Sequence, residues 1–262
     1  MKPFVVTVSA AVCLFALGCA SPAGDSETTV EAAIISGSPF RFQLPSLSES
    51  PPDPSNPTSR APSSLYQLAD GRDLRNDFRV SVALRTRAAD DSRHQQVYEC
   101  TATGWVNRVP LVDNFDFVGG NGPQFDFPFS AHHFRNLANV DPDGPFGPYR
   151  DPSATIGNVA WQITSDIPSF PFTTTVTGAL DDQVPNAGSI PLFRLRNSGA
   201  ALTPSDSRTQ RLDDRIFGRV EYILRLNTQG GTAPEAADCT AESVGSFQPV
   251  DYEADYYFLV PR

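Results

Sequence analysis

The sequence predicts an all-β fold: an antiparallel β-sandwich or barrel with one long irregular insertion and one disulfide. Three observations predict it. Apolar and polar residues alternate with period two in several separate runs, the spacing of a half-buried strand. Clusters of Gly, Pro and Asn part those runs at short intervals. No stretch sustains a helical period with caps.

Taken in order, "DFRVSVALRTR" alternates with Phe78, Val80, Val82 and Leu84 on one face and Arg79, Ser81 and Arg85 on the other. "HQQVYECTATGW" is strand-like around Val97, Tyr98 and Cys100. The region from Asp113 to Pro152 breaks the pattern and reads as the irregular insertion, the kind of long connection that often carries function. "NVAWQIT", "FPFTTTVTGAL" and "IPLFRLR" follow, rich in the β-branched and aromatic residues that suit a pleated surface. In "RVEYILRLN" the expected inward set is Val220, Tyr222, Leu224 and Leu226, with Arg219, Glu221 and Arg225 outward. "EADYYFLV" closes the set.

Residues 1–19 read as an export signal. Lys2 precedes an uncharged apolar run from Phe4 to Leu17, too short to cross a bilayer about 30 Å thick as a helix. "ALGC" resembles a bacterial lipobox with Ala16 where leucine is usual, so Cys19 is the expected lipidation site. Ordinary cleavage nearby is the alternative. A lipid there would tether the domain to a membrane face without altering its fold. Residues 20–65, rich in Ser and Pro, read as a flexible linker, and residues 66–262 as a single β-rich domain large enough for its own core. The expected location is therefore extracytoplasmic, either lipid-anchored to the envelope or secreted.

Composition excludes several functions. Without the signal the 262-residue chain has no lysine, and 19 arginines face 30 acidic residues. Lysine Schiff-base chemistry is excluded, and a nucleic-acid surface is disfavoured because an acidic chain repels phosphate. Cys13 and Cys19 belong to the signal region, which leaves Cys100 and Cys239. Two thiols in an oxidising compartment predict a disulfide, with a catalytic thiol as the lesser alternative.

The motifs are sparse. "NTQGGTAP" lacks a Gly-x-Gly-x-x-Gly pattern and a following helix, so Gly230, Gly231 and Pro234 read as a structural corner. "AHHF" supplies His132 or His133 as weak catalytic candidates, with Asp126, Asp141 or Asp143 as a partner. Adjacent residues on an extended chain point to opposite sides, so the pair does not chelate one metal readily. "DPDGPFGPYRDP" lacks a full calcium loop, and no metal or cofactor is expected. Asp181–Asp182 and Asp213–Asp214 read as solvated turn residues, and Trp105 and Trp161 as core. No Gly-x-Ser-x-Gly, Walker, His-Glu-x-x-His or Cys-x-x-Cys motif occurs.

"HQQVYECTATGW", "GNVAWQIT", "IPLFRLR", "GRVEYILRLNTQGGTAPEAADC" and "VDYEADYYFLV" together resemble the exported family known as domain of unknown function 3455. The resemblance spans Asp77 to Pro261. It implies matching roles for Tyr98, Cys100, Gly230, Gly231, Pro234, Cys239 and Tyr256, and for a histidine at His132 or His133. Some relatives carry a dehydrogenase label, for which the chain has neither a nucleotide fingerprint nor alternating βαβ units. The expected function is a non-catalytic module binding a small molecule or an envelope partner. A hydrolase-like enzyme and a structural surface protein are the alternatives.

Overall fold

The computed structural model describes residues 63–86, 94–112, 115–117, 129–135, 158–165, 171–214 and 216–262. Ten strands appear in it: β1 (Phe78–Thr86), β2 (His94–Thr101), β3 (Gly104–Val112), β4 (Phe115–Phe117), β5 (Phe129–Arg135), β6 (Val159–Ser165), β7 (Phe172–Asn186), β8 (Ser189–Thr203), β9 (Tyr222–Gly230) and β10 (Phe247–Pro261). Two short helices join them, α1 (Ser63–Tyr66) and α2 (Ser207–Asp213).

All strand pairs are antiparallel, and the sheet closes on itself as an eight-stranded barrel, β2-β3-β5-β6-β7-β8-β9-β10. Closure depends on the length of β10. One of its edges pairs with β9 over Tyr252–Leu259. The other pairs first with β2, through Phe247–Asp251, and then with β1, through Asp255–Pro261. β1 thus continues the wall beyond the point where β2 leaves it, and β4 adds to the free edge of β1. Closing the sheet removes the open edges that would otherwise invite aggregation.

Side chains from every region of the wall meet in the lumen. Val112, Ala131, Trp161, Ile163, Val176, Phe193, Leu195, Ile223, Tyr256 and Phe258 all belong to one buried cluster. A second cluster lies outside the barrel over β1, β8, β9 and β10, where Leu65, Leu68 and Leu74 cover Leu192, Tyr222, Leu224, Tyr257 and Leu259. Arg194 fastens this cover by donating from Nη1 to the carbonyls of Leu65 and Gln67, at 2.7 and 2.9 Å. Leu65 is fully buried, although it falls on the linker side of the expected domain boundary.

Two expectations about faces are corrected. In β1 a bulge at Ser81, between Val80 and Val82, turns the strand over. Phe78 and Val80 therefore join the outer cluster, while Val82 and Leu84 enter the lumen. In β9 both faces are buried: Tyr222, Leu224 and Leu226 pack outward beneath the cover, and Ile223 and Arg225 point into the barrel. Arg225 is thus interior, not solvated.

Part of the presumed insertion is strand. Residues 115–117 form β4, and "AHHF" lies in β5, a full member of the barrel wall between β3 and β6. The rest of that region is outside the described residues, as are the expected export signal with Cys19, the calcium-like stretch from Asp141, and Asp126. Cys100 and Cys239 form a disulfide across 139 residues, joining β2 to the segment after β9.

Candidate functional site

The lumen is chemically divided along its length. One end is apolar: the segment after α2 inserts Phe217 against Phe258, with ring centroids 4.8 Å apart, and Val220 and Ile223 complete the packing. Asp213 is buried there, with the Thr174 hydroxyl donating to its carboxylate, and burial raises its pKa. It is therefore not the solvated turn residue expected. Asp181 is exposed as expected, in β7, and pairs there with the buried Arg194.

Aromatic rings cross the barrel at mid-height. His133 of β5 and Trp161 of β6 are directly paired across the ladder, and their rings stack 4.2 Å apart at 9°. Tyr256 reaches them from β10 on the opposite wall, with centroids 5.1 Å from His133 and 5.3 Å from Trp161. His133 Nδ1 lies 2.9 Å from the Ala160 carbonyl, which can only accept, so Nδ1 carries the proton. Nε2 is left as the ring's acceptor when the imidazole is neutral. The enclosed stack gives His133 a packing environment, at 1% exposure. For His132 only its place in β5, opposite Gln162, is described.

Between this stack and the disulfide end the lining turns polar. Arg225 is 8% exposed and sits in a cross-strand row between Phe193 and Tyr256. Its Cζ lies 3.9 Å from the Phe193 ring centroid, close enough for cation–π attraction. Nε and Nη2 both donate to the Pro191 carbonyl, at 3.0 and 2.7 Å. The guanidinium also reaches the Tyr256 hydroxyl, which lies 2.9 Å from the Tyr252 hydroxyl. Among the described residues no carboxylate forms an ion pair with Arg225.

The surrounding phenols cannot supply the missing charge. Burial raises the pKa of Tyr98, of Tyr256 and most strongly of Tyr252, so all three stay neutral at physiological pH. Burial acts on Arg225 in the opposite sense and lowers its pKa, because a cation is costly in a poorly solvated interior.

Acceptors nearby are already engaged. The Gly231 carbonyl takes the Tyr98 hydroxyl at 2.6 Å, and Gln96 Oε1 takes Asn107 Nδ2 at 2.9 Å. Among the described residues three buried polar atoms lack a hydrogen-bond partner: the donors Gln96 Nε2 and Trp161 Nε1, and the acceptor Asn186 Oδ1. Gln96 lies beside Tyr252 and Gly231. Tyr256 oxygen accepts from Arg225, and when it also accepts from Tyr252 its own proton is free to donate.

The corner over this end is built from "QGGTAPEAADC". Gly230 and Gly231 have φ of +63° and +73°, and Gly231 N donates to the Asp251 carbonyl at 2.9 Å. Trp105 Nε1 donates to the Glu235 carbonyl at 3.0 Å, and the bridge to Cys100 holds the far side. Among the described residues no three His, Cys, Asp or Glu side chains converge as metal ligands would.

The polar lining was misread at Arg225 and unremarked at Gln96 and Tyr252. A signal for Arg225 existed: "YILRL" carries aliphatic side chains at both parities, the mark of a strand buried on both faces.

No curated protein matches this chain, and no solved structure does. A family model described as "Protein of unknown function (DUF3455)" matches residues 83–260. Since that span runs from β1 to β10 and contains both bridged cysteines as well as the polar lining of the lumen, the chain belongs to the DUF3455 family.

Proposed function

We propose that this is an exported, non-catalytic binding protein that takes a small molecule into the polar half of its barrel. One observation carries the reading: Arg225 brings a buried positive charge into the lumen that no described carboxylate answers, and the same lumen holds Trp161 Nε1, a buried donor without a partner among the described residues. Buried polar groups are nearly always paired, and an unmet donor costs about 1–3 kcal/mol. A bound molecule that supplies acceptors offsets that cost. Eight-stranded barrels either fill their interior with side chains or hold one small ligand, so the scale is right.

A thermal-shift panel of small polar and charged molecules on the mature chain tests this. A ligand at 100 times its Kd stabilises by about 2.7 kcal/mol, which is about 8 °C for a domain of this size. A panel that leaves the melting temperature unmoved removes the binding reading and favours a structural role. Steady turnover of an ester or glycoside that His132→Ala or His133→Ala abolishes favours the hydrolase reading instead.

The signal-like start and the lipobox-like Cys19 support a reading in which the protein lies outside the cytoplasm, carried on a lipid. Cys19→Ala is then expected to move it from the membrane fraction to the soluble one. Unchanged partitioning removes the anchor.

A further inference from the structure

We infer that the molecule taken into the polar half of the barrel is a small monocarboxylate, its carboxylate seated on Arg225 and Tyr256 and its apolar body against Trp161 and Phe193. This rests on the binding reading above and names the ligand's chemical class.

The argument is one of charge and of donor count. Arg225 brings a full positive charge into the barrel, and no described carboxylate answers it. Its neighbours in the row are a ring and a phenol, and its carbonyl partner, Pro191, is neutral. Trp161 Nε1 adds an N–H donor without a partner among the described residues, and Gln96 adds another beside the Tyr252 hydroxyl. A carboxylate is acceptor-only, offers about four lone-pair sites, and matches the guanidinium fork.

The size of the charge selects the class. One arginine balances one negative charge. A phosphate dianion would leave a net charge buried in a poorly solvated interior, which is costly. A neutral amide brings donors of its own into a site already rich in donors. The apolar rings gathered around Tyr256, Trp161 and Phe193 among them, favour an aromatic or short aliphatic body.

Calorimetric titration of the mature chain with benzoate and hexanoate, each against its amide, is the test. The carboxylates are expected to bind at least ~10-fold more tightly than the amides, since charge-assisted hydrogen bonds are about twice as strong as neutral ones. Arg225→Gln is expected to erase that preference while leaving weak amide binding in place. Tyr256→Phe keeps the ring and is expected to weaken carboxylates several-fold more than amides. The comparison of acid with amide on the unaltered protein needs no variant to fold.

Equal affinity for acid and amide overturns the inference while the lumen stands as a binding site. So does Arg225→Gln protein that binds benzoate as the parent does. Chloride or phosphate matching benzoate overturns the carboxylate assignment. If no acid and no amide binds, and the wider panel is also silent, both this inference and the binding reading fall.

Discussion

Reducing the Cys100–Cys239 bridge is expected to lower the melting temperature by about 12 °C. The bridge closes a loop spanning 139 residues. In the chain-entropy account, closing so long a loop disfavours the unfolded chain by about 5 kcal/mol, and losing a native disulfide costs about 2–5 kcal/mol in practice. Taking about 4 kcal/mol, and about 3 °C per kcal/mol for a domain of this size, gives the expected shift.

The native state also loses its clasp. Cys100 sits fully buried on β2, whereas Cys239 belongs to the segment between β9 and β10. Without the bridge that segment keeps the hydrogen bonds Cys100 N to Ser246 O and Gly245 N to Cys100 O, at 2.9 and 2.8 Å, and the Trp105 contact with Glu235. Cys239→Ser should reproduce the shift, because that side of the bridge is half-exposed and the serine can be solvated. Melting curves with and without a reductant make the measurement. Curves that coincide contradict a bridge of this importance.

Gly231→Ala is the second large effect, expected to cost about 3 kcal/mol, or about 9 °C. Two penalties add. The backbone at φ +73° is a conformation that side chains other than glycine adopt at a cost of about 1–2 kcal/mol. A Cβ there would stand 2.7 Å from Tyr252 Cβ and 2.9 Å from Ile190 Cγ2, and such overpacking adds about 1–3 kcal/mol. Gly188 separates the two terms. Its φ is +74°, but nothing lies within 4 Å of a Cβ there, so Gly188→Ala carries only the backbone penalty. Gly231→Ala melting no lower than Gly188→Ala contradicts the close packing at the corner. The same crowding moves Tyr252 and Gln96, so Gly231→Ala should also weaken ligand binding.

Much of the strand content was legible because period-two alternation is local. "DFRVSVALRT", "AWQIT" and "YILRLN" each announce a strand with no knowledge of their neighbours. The disulfide followed from two cysteines and a compartment. What escaped depends on contacts distant in sequence. Barrel rather than sandwich is decided by β10 meeting β2 through Phe247–Asp251, a pairing no local pattern encodes. The bulge at Ser81 exchanges faces within β1, and its hydroxyl donates to the Ile216 carbonyl at 2.9 Å, a partner 135 residues away.

The site was harder to read for a related reason. An arginine in an alternating strand is by default a solvated residue, and Arg225 breaks that default because the segment carrying Leu65, Leu68 and Leu74 occupies the other face of β9. With both faces covered, polarity ceases to mark the outside. "AHHF" drew notice as chemistry in an irregular region, but the ladder pairs His133 with Trp161 and makes it part of the aromatic stack. Tyr256 was picked out by family resemblance alone, and its reach across the lumen supplies the physical reason.

Trp161 emission tests the central claim most directly, because this side chain is fully buried in the lumen and its Nε1 is one of the unpaired donors. The chain has two tryptophans, so Trp105→Phe leaves Trp161 as sole reporter. A ligand that raises the melting temperature is predicted to shift or quench that emission with the same concentration dependence. A stabilising ligand that leaves Trp161 unchanged in the variant, yet alters Trp105 in the parent, would place binding outside the barrel and contradict the account.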